Sequence, residues 1–584
     1  MILQALTSLY ETLAQKGEIS KEGWSREKIS FALSIDEEGN LLRVTPLFDT
    51  VDGPKGKTRE VPQKMTVPAA VKRTSGAAAN FLWDNSSYIL GVSLKKGEDD
   101  AEREKDIKCF EACRELHHSM LDGMEYPAAK AVLNFLDKWE PQKAEENNLV
   151  AQYAKEILSG ANMVFRFNGG YVHDDPQLAS VWQKADAKQK DNIGQCLVTG
   201  ALDEIQNTHP TIKGVQGAQS SGAALVSFNA SAFCSYNKEQ NQNAPVGKYA
   251  AFAYTTALNH LLADRKNVHR IGDAAVVCWA ENADKQYEDF AAEVFFGDNV
   301  DKSDEQRLSA LRTSLKLLAD GLPCKEMDLD PDRKFYILGL SPNAARLAVR
   351  FFYCDSFGKI AGNIYKHHER LEIVRPSYDK FPILPLWKLL SATVNPNAKD
   401  KTPNAAMAGA VARAVFSGGR YPASLLECTF LRIKAERNIT RERAAIIKAY
   451  YLRNPNEKCP KEVLTVSLNE NSKNIPYTLG RLFSVYEEIQ QAANPGINTT
   501  IKDRYFGSAA AMPATVFPIL SNLAQKHLRK LSDAQRVYLD KKVMTLKSVL
   551  GEQYPAHMSL PEQGSFDLGY YHQTQARYTK KEDK

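Results

Sequence analysis

Cys109, Cys113 and His117 recur at intervals of four residues, with His118 adjacent, so on a helix the first three share one face. Thiolate and imidazole are zinc donors, but a structural zinc site closes with ligands from a second element. No partner pair lies nearby in sequence, and two small apolar thiols on a packed helix face account for the same pattern. His173, Asp174 and Asp175, and separately His367 and His368 with Glu369, are residue types used by metal-dependent nucleases. Adjacent residues point in different directions, so such neighbours rarely serve one ion. GPKGKT (53–58) ends like a phosphate loop, but Val51 stands where the first glycine is required. No nucleophile elbow, His-Glu-x-x-His helix or kinase signature is present. The expectation is therefore no catalytic residue, no metal and no cofactor. The alternative is a metal-dependent nuclease using His173, Asp174, Asp175, His367 and His368.

Three polar segments suit a different chemistry. VKRTSGAAANFLWDNSSYILG (71–91) gathers Lys72, Arg73, Thr74, Ser75, Asn80, Asp84 and Asn85 around a glycine and Phe81. Such donors can face phosphates and base edges, and an aromatic beside them can stack or wedge; a capped turn over a buried Phe81 is the competing reading. GVQGAQSS (214–221) offers Gln216, Gln219, Ser220 and Ser221 in a glycine-rich loop. Asn and Gln both donate and accept, as base edges require, while an ordinary turn before a strand at 223–228 explains the loop equally well. The third, VDGPKGKTRE (51–60), reads as an exposed loop carrying Lys55, Lys57 and Arg59.

These segments must be held by an α+β framework: a mixed N-terminal α/β region followed by a C-terminal helical bundle. An amphipathic helix starts at Ile2, and FALSI (31–35) and NLLRVTPL (40–47) flank a turn and predict a hairpin. Strand patterns recur at 87–94, 162–167, 223–228 and 274–279, with a charged stretch over 98–115 and then helical pattern to about 158. FYILGL (335–340) and LAVRFFY (347–353) predict an antiparallel pair flanked by Asn343, Arg346 and Arg350. Beyond 353 helix signals dominate, including a capping box at Ser532 to Gln535. RNPNEKCPKE (453–462) reads as a linker. The expected divisions are 1–330, an α+β region; 331–460, a β pair then helices; and 461–584, a helical bundle.

Charge follows these divisions. Residues 1–330 hold 37 basic and 48 acidic side chains, residues 331–460 hold 22 and 10, and residues 461–584 hold 16 and 12. The net +12 of the middle region is the footprint expected of a polyanion partner or of a face docked on an acidic protein. No apolar run approaches the ~18 residues of a membrane span, and no secretory pattern follows Met1. Nine cysteines without a short-spaced framework are expected to be reduced thiols, which places the chain in the cytoplasm, away from membranes.

Taken with NAPVGKYAAFAYTTALNHLL (243–262), LGLSPNAARLAVRFF (338–352), RAAIIKAY (443–450), LGRLFSVYEEIQ (479–490), IKDRYFGSAAAMPATVFP (501–518) and LGYYHQ (568–573), the order of these segments resembles the large subunit of the type I-C CRISPR Cascade complex. The resemblance implies a non-catalytic subunit in a crRNA-guided antiviral surveillance complex. Its implied partners are crRNA, target double-stranded DNA bearing a protospacer-adjacent motif (PAM), and the displaced strand. It also implies backbone and handle-binding subunits, a small subunit and a recruited helicase-nuclease. Base pairing would read the target while the protein reads the PAM and promotes R-loop formation. The positions that match the family's motifs and are expected to bind DNA are Arg73, Thr74, Ser75, Asn80 and Phe81, with Gln216, Gln219, Ser220 and Ser221; Lys55, Lys57, Arg59 and Lys72 are expected to join them as cations facing phosphates. The family also implies a small subunit translated from an internal start, for which Val466 is the candidate here.

Overall fold

The computed structural model describes residues 1–52, 58–71, 73, 77–93, 100–187, 192–228, 230–297, 305–379 and 381–578. It is an α+β protein whose chain forms two compact units, one of residues 3–210 and 227–257, the other of 211–226 and 258–584.

The first unit opens with the helix Ile2–Gln15, which buries Leu6, Leu9, Tyr10 and Leu13 along one stripe. The strands Phe31–Ile35 and Leu41–Pro46 form the hairpin read from the sequence. Phe31–Ile35 also pairs in parallel with Asn162–Phe167, a connection that needs a long crossover; residues 36–161 supply it, including the helices Asp100–Leu121 and Pro127–Lys138. Trp83–Asn85 adds to the other edge of Asn162–Phe167. Phe31, Leu33 and Ile35 enter the larger core with Phe135 and Phe165. Ala32 enters a smaller core with Ile29, Val67, Trp83 and Val164. A separate three-stranded sheet runs Trp24–Ile29, Thr58–Pro68, Phe48–Asp52.

Sequence and structure part here in three places. Residues 87–93 do not form a strand, Leu94 lying outside the described residues: Asn85 accepts from the Ser87 amide at 3.0 Å and caps a short helix, Ser86–Ile89, so a cap outcompetes β-propensity. Residues 223–228 make only single bridges, Ala223 to Ile212 and Ala224 to Arg346. At the ends of the loop expected over 51–60, Val51 and Arg59 face each other in the ladder of Phe48–Asp52 with Thr58–Pro68, while 53–57 lie outside the described residues.

The second unit holds an antiparallel meander, His269–Ile271, Ala274–Ala280, Lys334–Asn343 and Arg346–Ser356. The register shifts at Gly339/Leu340, where a Cβ on Gly339 would lie 2.6 Å from the Phe351 ring. The helix Phe357–Leu371 and those after it share one core with the meander, running from Ile271 to Tyr571. Residues 330/331 therefore lie inside this unit, since Ala274–Ala280 pairs with Lys334–Asn343. The stretch 453–462 is packed too: Cys459 is buried and Arg453 Nε donates to the Gly419 carbonyl at 2.8 Å. The helices Ile475–Ala493 and Leu560–Ala576 cross so closely that a Cβ on Gly480 would lie 1.9 Å from the Phe566 carbonyl oxygen, and one on Gly569 2.1 Å from that of Tyr477. Among the described residues no helix is long and apolar enough to cross a membrane.

Candidate nucleic-acid interface

The segment ending at Asn85 turns its chemistry inward. Asp84 is buried, and burial raises its pKa while the Asn80 amide, Arg73 and the Asn85 amide oppose that rise. The Arg73 guanidinium pairs with this carboxylate, donates through Nε to the Ala78 carbonyl at 2.7 Å, and lies 3.9 Å from the centre of the Tyr88 ring. Asn80 is buried and accepts from the Val71 amide at 2.9 Å. Phe81 is fully buried, stacked between His117 (5.4 Å) and Trp182 (5.8 Å). The expectation that Asn80 and Phe81 face a duplex is therefore corrected. Both build the turn, because their apolar or amide surface is worth more inside the core than in solvent. Arg73 keeps a partly exposed edge. Lys72, Thr74 and Ser75, like Lys55 and Lys57, lie outside the described residues; Arg59 is exposed.

The metal-like cluster resolves the same way. The Leu82 amide donates to His117 Nε2 at 3.0 Å, and His117 Nδ1–H donates to the Cys113 carbonyl at 2.7 Å. Both ring nitrogens are thus committed, and burial holds the imidazole neutral with its pKa pushed down to about 4. Cys113 is buried with its thiol pushed up by burial. His173 is buried, whereas Asp175 accepts from the Gln177 amide at 2.9 Å at the start of a helix and from the Tyr126 hydroxyl. His367 is buried against the Tyr421 hydroxyl at 2.6 Å and held well below its usual pKa, mainly by burial. Among the described residues no three His, Cys, Asp or Glu side chains come together as a metal site.

The second loop points outward. Backbone hydrogen bonds between Ile212 and Ala223, 2.9 Å each way, close its base. Asn259 clamps one side, accepting from the Lys213 amide at 2.8 Å and donating to the Thr211 carbonyl at 3.1 Å. Gly217 turns with φ +87° against Pro342, and Gly222 with φ +102° against Thr211, conformations that side chains resist. Gln216, Gln219, Ser220 and Ser221 are exposed. Gln216 Oε1 accepts from Arg270 Nη1 at 2.9 Å, which fixes a guanidinium beside the turn.

Arg270 alternates with buried His269 and Ile271 on its strand and is exposed. Across from it, the Asp400 carboxyl is held below its usual pKa, first by the Thr402 hydrogen bond and in small part by the Arg270 charge. Lys399 and Lys401 flank Asp400 and are exposed. Arg350, by contrast, is tied to Ser341 at 2.9 Å and to Asp273 at 2.7 Å, so it stabilises the meander. Sequence reasoning did not single out Arg270, although the alternation HRI within a strand would have marked it as outward-facing. The result is an exposed turn carrying amide and hydroxyl groups, closed at its base, with Arg270 held against Gln216.

A family model described as CRISPR-associated protein (Cas_Csd1) matches residues 6–578. The chain belongs to this family. Comparison with curated proteins returns no match. Membership ties the chain to CRISPR defence and its components.

Proposed function

We propose that this CRISPR-associated protein is the non-catalytic large subunit of a type I-C Cascade complex, binding the PAM duplex and helping to open it, in the cytoplasm. The observation that carries this reading is the exposed turn Gln216–Ser221, pinned at its base and set beside Arg270. Gln219, Ser220 and Ser221 are exposed and among the described residues their side chains have no hydrogen-bond partner, so their donors and acceptors are available to base edges. Arg270, Lys213, Lys399 and Lys401 supply phosphate contacts that set register. Pairing of crRNA with the target strand would carry the remaining specificity, and a separate helicase-nuclease would cut.

The test is direct. Complex assembled with crRNA, given Mg2+ or Mn2+ and end-labelled target duplex, should bind a duplex carrying one short flanking motif and leave it uncut. Cleavage that His173→Ala or His367→Ala abolishes would establish the nuclease instead; binding indifferent to the flanking bases would leave a scaffold.

A further inference from the structure

The outer face of the three-stranded sheet carries a basic patch outside both loops. In the ladder of Trp24–Ile29 with Thr58–Pro68, Trp24 stands opposite Pro68, Arg26 opposite Thr66 and Lys28 opposite Lys64. Side chains alternate across a strand, so these six positions share one face. Ile29, Val67 and Met65 take the other, against the smaller core. Arg26, Lys28, Lys64 and Thr66 are exposed and Trp24 is half-buried. Among the described residues no hydrogen bond or ion pair engages the charged end of Arg26, Lys28 or Lys64. Like charges directly opposite in a ladder are destabilising, so the Lys28–Lys64 pair weakens the sheet for no internal return. Farther along the same face Glu60 follows Pro62, which bounds the patch.

We propose that this face binds single-stranded nucleic acid, with Arg26, Lys28 and Lys64 on consecutive phosphates and Trp24 stacking a base at the end of the patch. The inference rests on the reading of the chain as a nucleic-acid-binding subunit, but uses a different surface. A sheet face with cations and one aromatic suits an unpaired strand, whose bases can be splayed and stacked. Among the described residues it carries no projecting element of the kind a duplex groove admits. Charge complementarity selects a polyanion, and the aromatic selects one with bases.

Lys64→Glu is the informative substitution, because it replaces a cross-strand repulsion by an attraction. In the assembled complex, its thermal midpoint should equal or exceed that of the parent. Its affinity for labelled single-stranded RNA or DNA of about 12 nucleotides should fall at least about tenfold at low salt, and the salt dependence should flatten by at least ~0.7 in log–log slope. Trp24→Leu should weaken binding with little change of slope. RNA and DNA probes run in parallel identify which strand the face prefers, while a matched duplex should respond less. Unchanged oligonucleotide affinity and slope in Lys64→Glu overturns the proposal, as does loss of an acidic protein subunit with oligonucleotide binding intact. Gln219→Ala should leave this signal unaltered, so failure here and failure of the motif-reading turn are separate results.

Discussion

Asn80 and Gln219 carry the same functional group and do opposite work. The Asn80 amide is spent on the Val71 N–H inside the turn, so Asn80→Ala removes an internal hydrogen bond and should cost ~1–3 kcal/mol of stability by denaturant unfolding. Its effect on binding should be equal for correct and scrambled flanking duplexes. Gln219→Ala should leave stability within ~0.5 kcal/mol and cost ~1–3 kcal/mol of binding only on the correct motif. His117 makes a pH prediction. Its pKa in the folded state, about 4, lies below the ordinary 6.5. The unfolded chain therefore binds this proton first, and the stability it contributes is lost as pH falls from about 6.5 toward 4, at up to ~1.4 kcal/mol per unit. Unfolding titrations at stepped pH should show that part of the slope missing from His117→Gln. The residue types in 71–91 were legible from sequence; their direction was not. Arg73, Asn80 and Asp84 are mutually satisfied, a fact of three-dimensional pairing across Val71 to Asn85 that no spacing rule encodes.

Elements with a strong period were legible: the N-terminal helix, the hairpin 31–46 and the meander strands at 274–280 and 334–356; the helix Asp533–Lys547 starts where the sequence places a capping box, but Ser532 makes no cap hydrogen bond to the backbone and donates instead to the Gln535 side chain. Residues 87–93 and 223–228 were not, since a short apolar run does not state its partner and Asn85 capping decided the first of them. The crossing of Ile475–Ala493 with Leu560–Ala576 was equally hidden, because glycines inside helices read as weak points when here they allow backbone contact. Gly480→Ala should force these helices apart and cost ~3 kcal/mol or more, read as a drop in thermal midpoint. Gly507→Ala, which meets nothing within 4 Å, is the control and should not destabilise.

The whole molecule sets the limits on any smaller product. If translation also starts at Val466, residues 466–584 contain the closely packed helix pair and should appear as a separate helical chain. The structure adds a condition to that expectation. Gly564 lies against Tyr451, Ile447 and Phe430, a Cβ there meeting them at 3.0–3.4 Å, and the Tyr571 hydroxyl donates to the Val374 carbonyl at 2.8 Å. The free bundle therefore exposes an apolar face that the full chain covers, and should show lower thermal stability or self-association by sedimentation. Intact mass spectrometry of complex from the native gene checks its existence; silent recoding of the Val466 codon should abolish it.

At this scale the central claim is that an outward turn of a CRISPR-associated protein reads the bases beside the target. Its most direct measurement is selection by the crRNA-loaded complex from duplexes with a constant target and randomised flanking bases, followed by sequencing of the bound fraction. The parent complex should enrich one short motif, and Gln219→Ala with Ser220→Ala should flatten that enrichment without lowering thermal stability. An unaltered motif in that variant would contradict it.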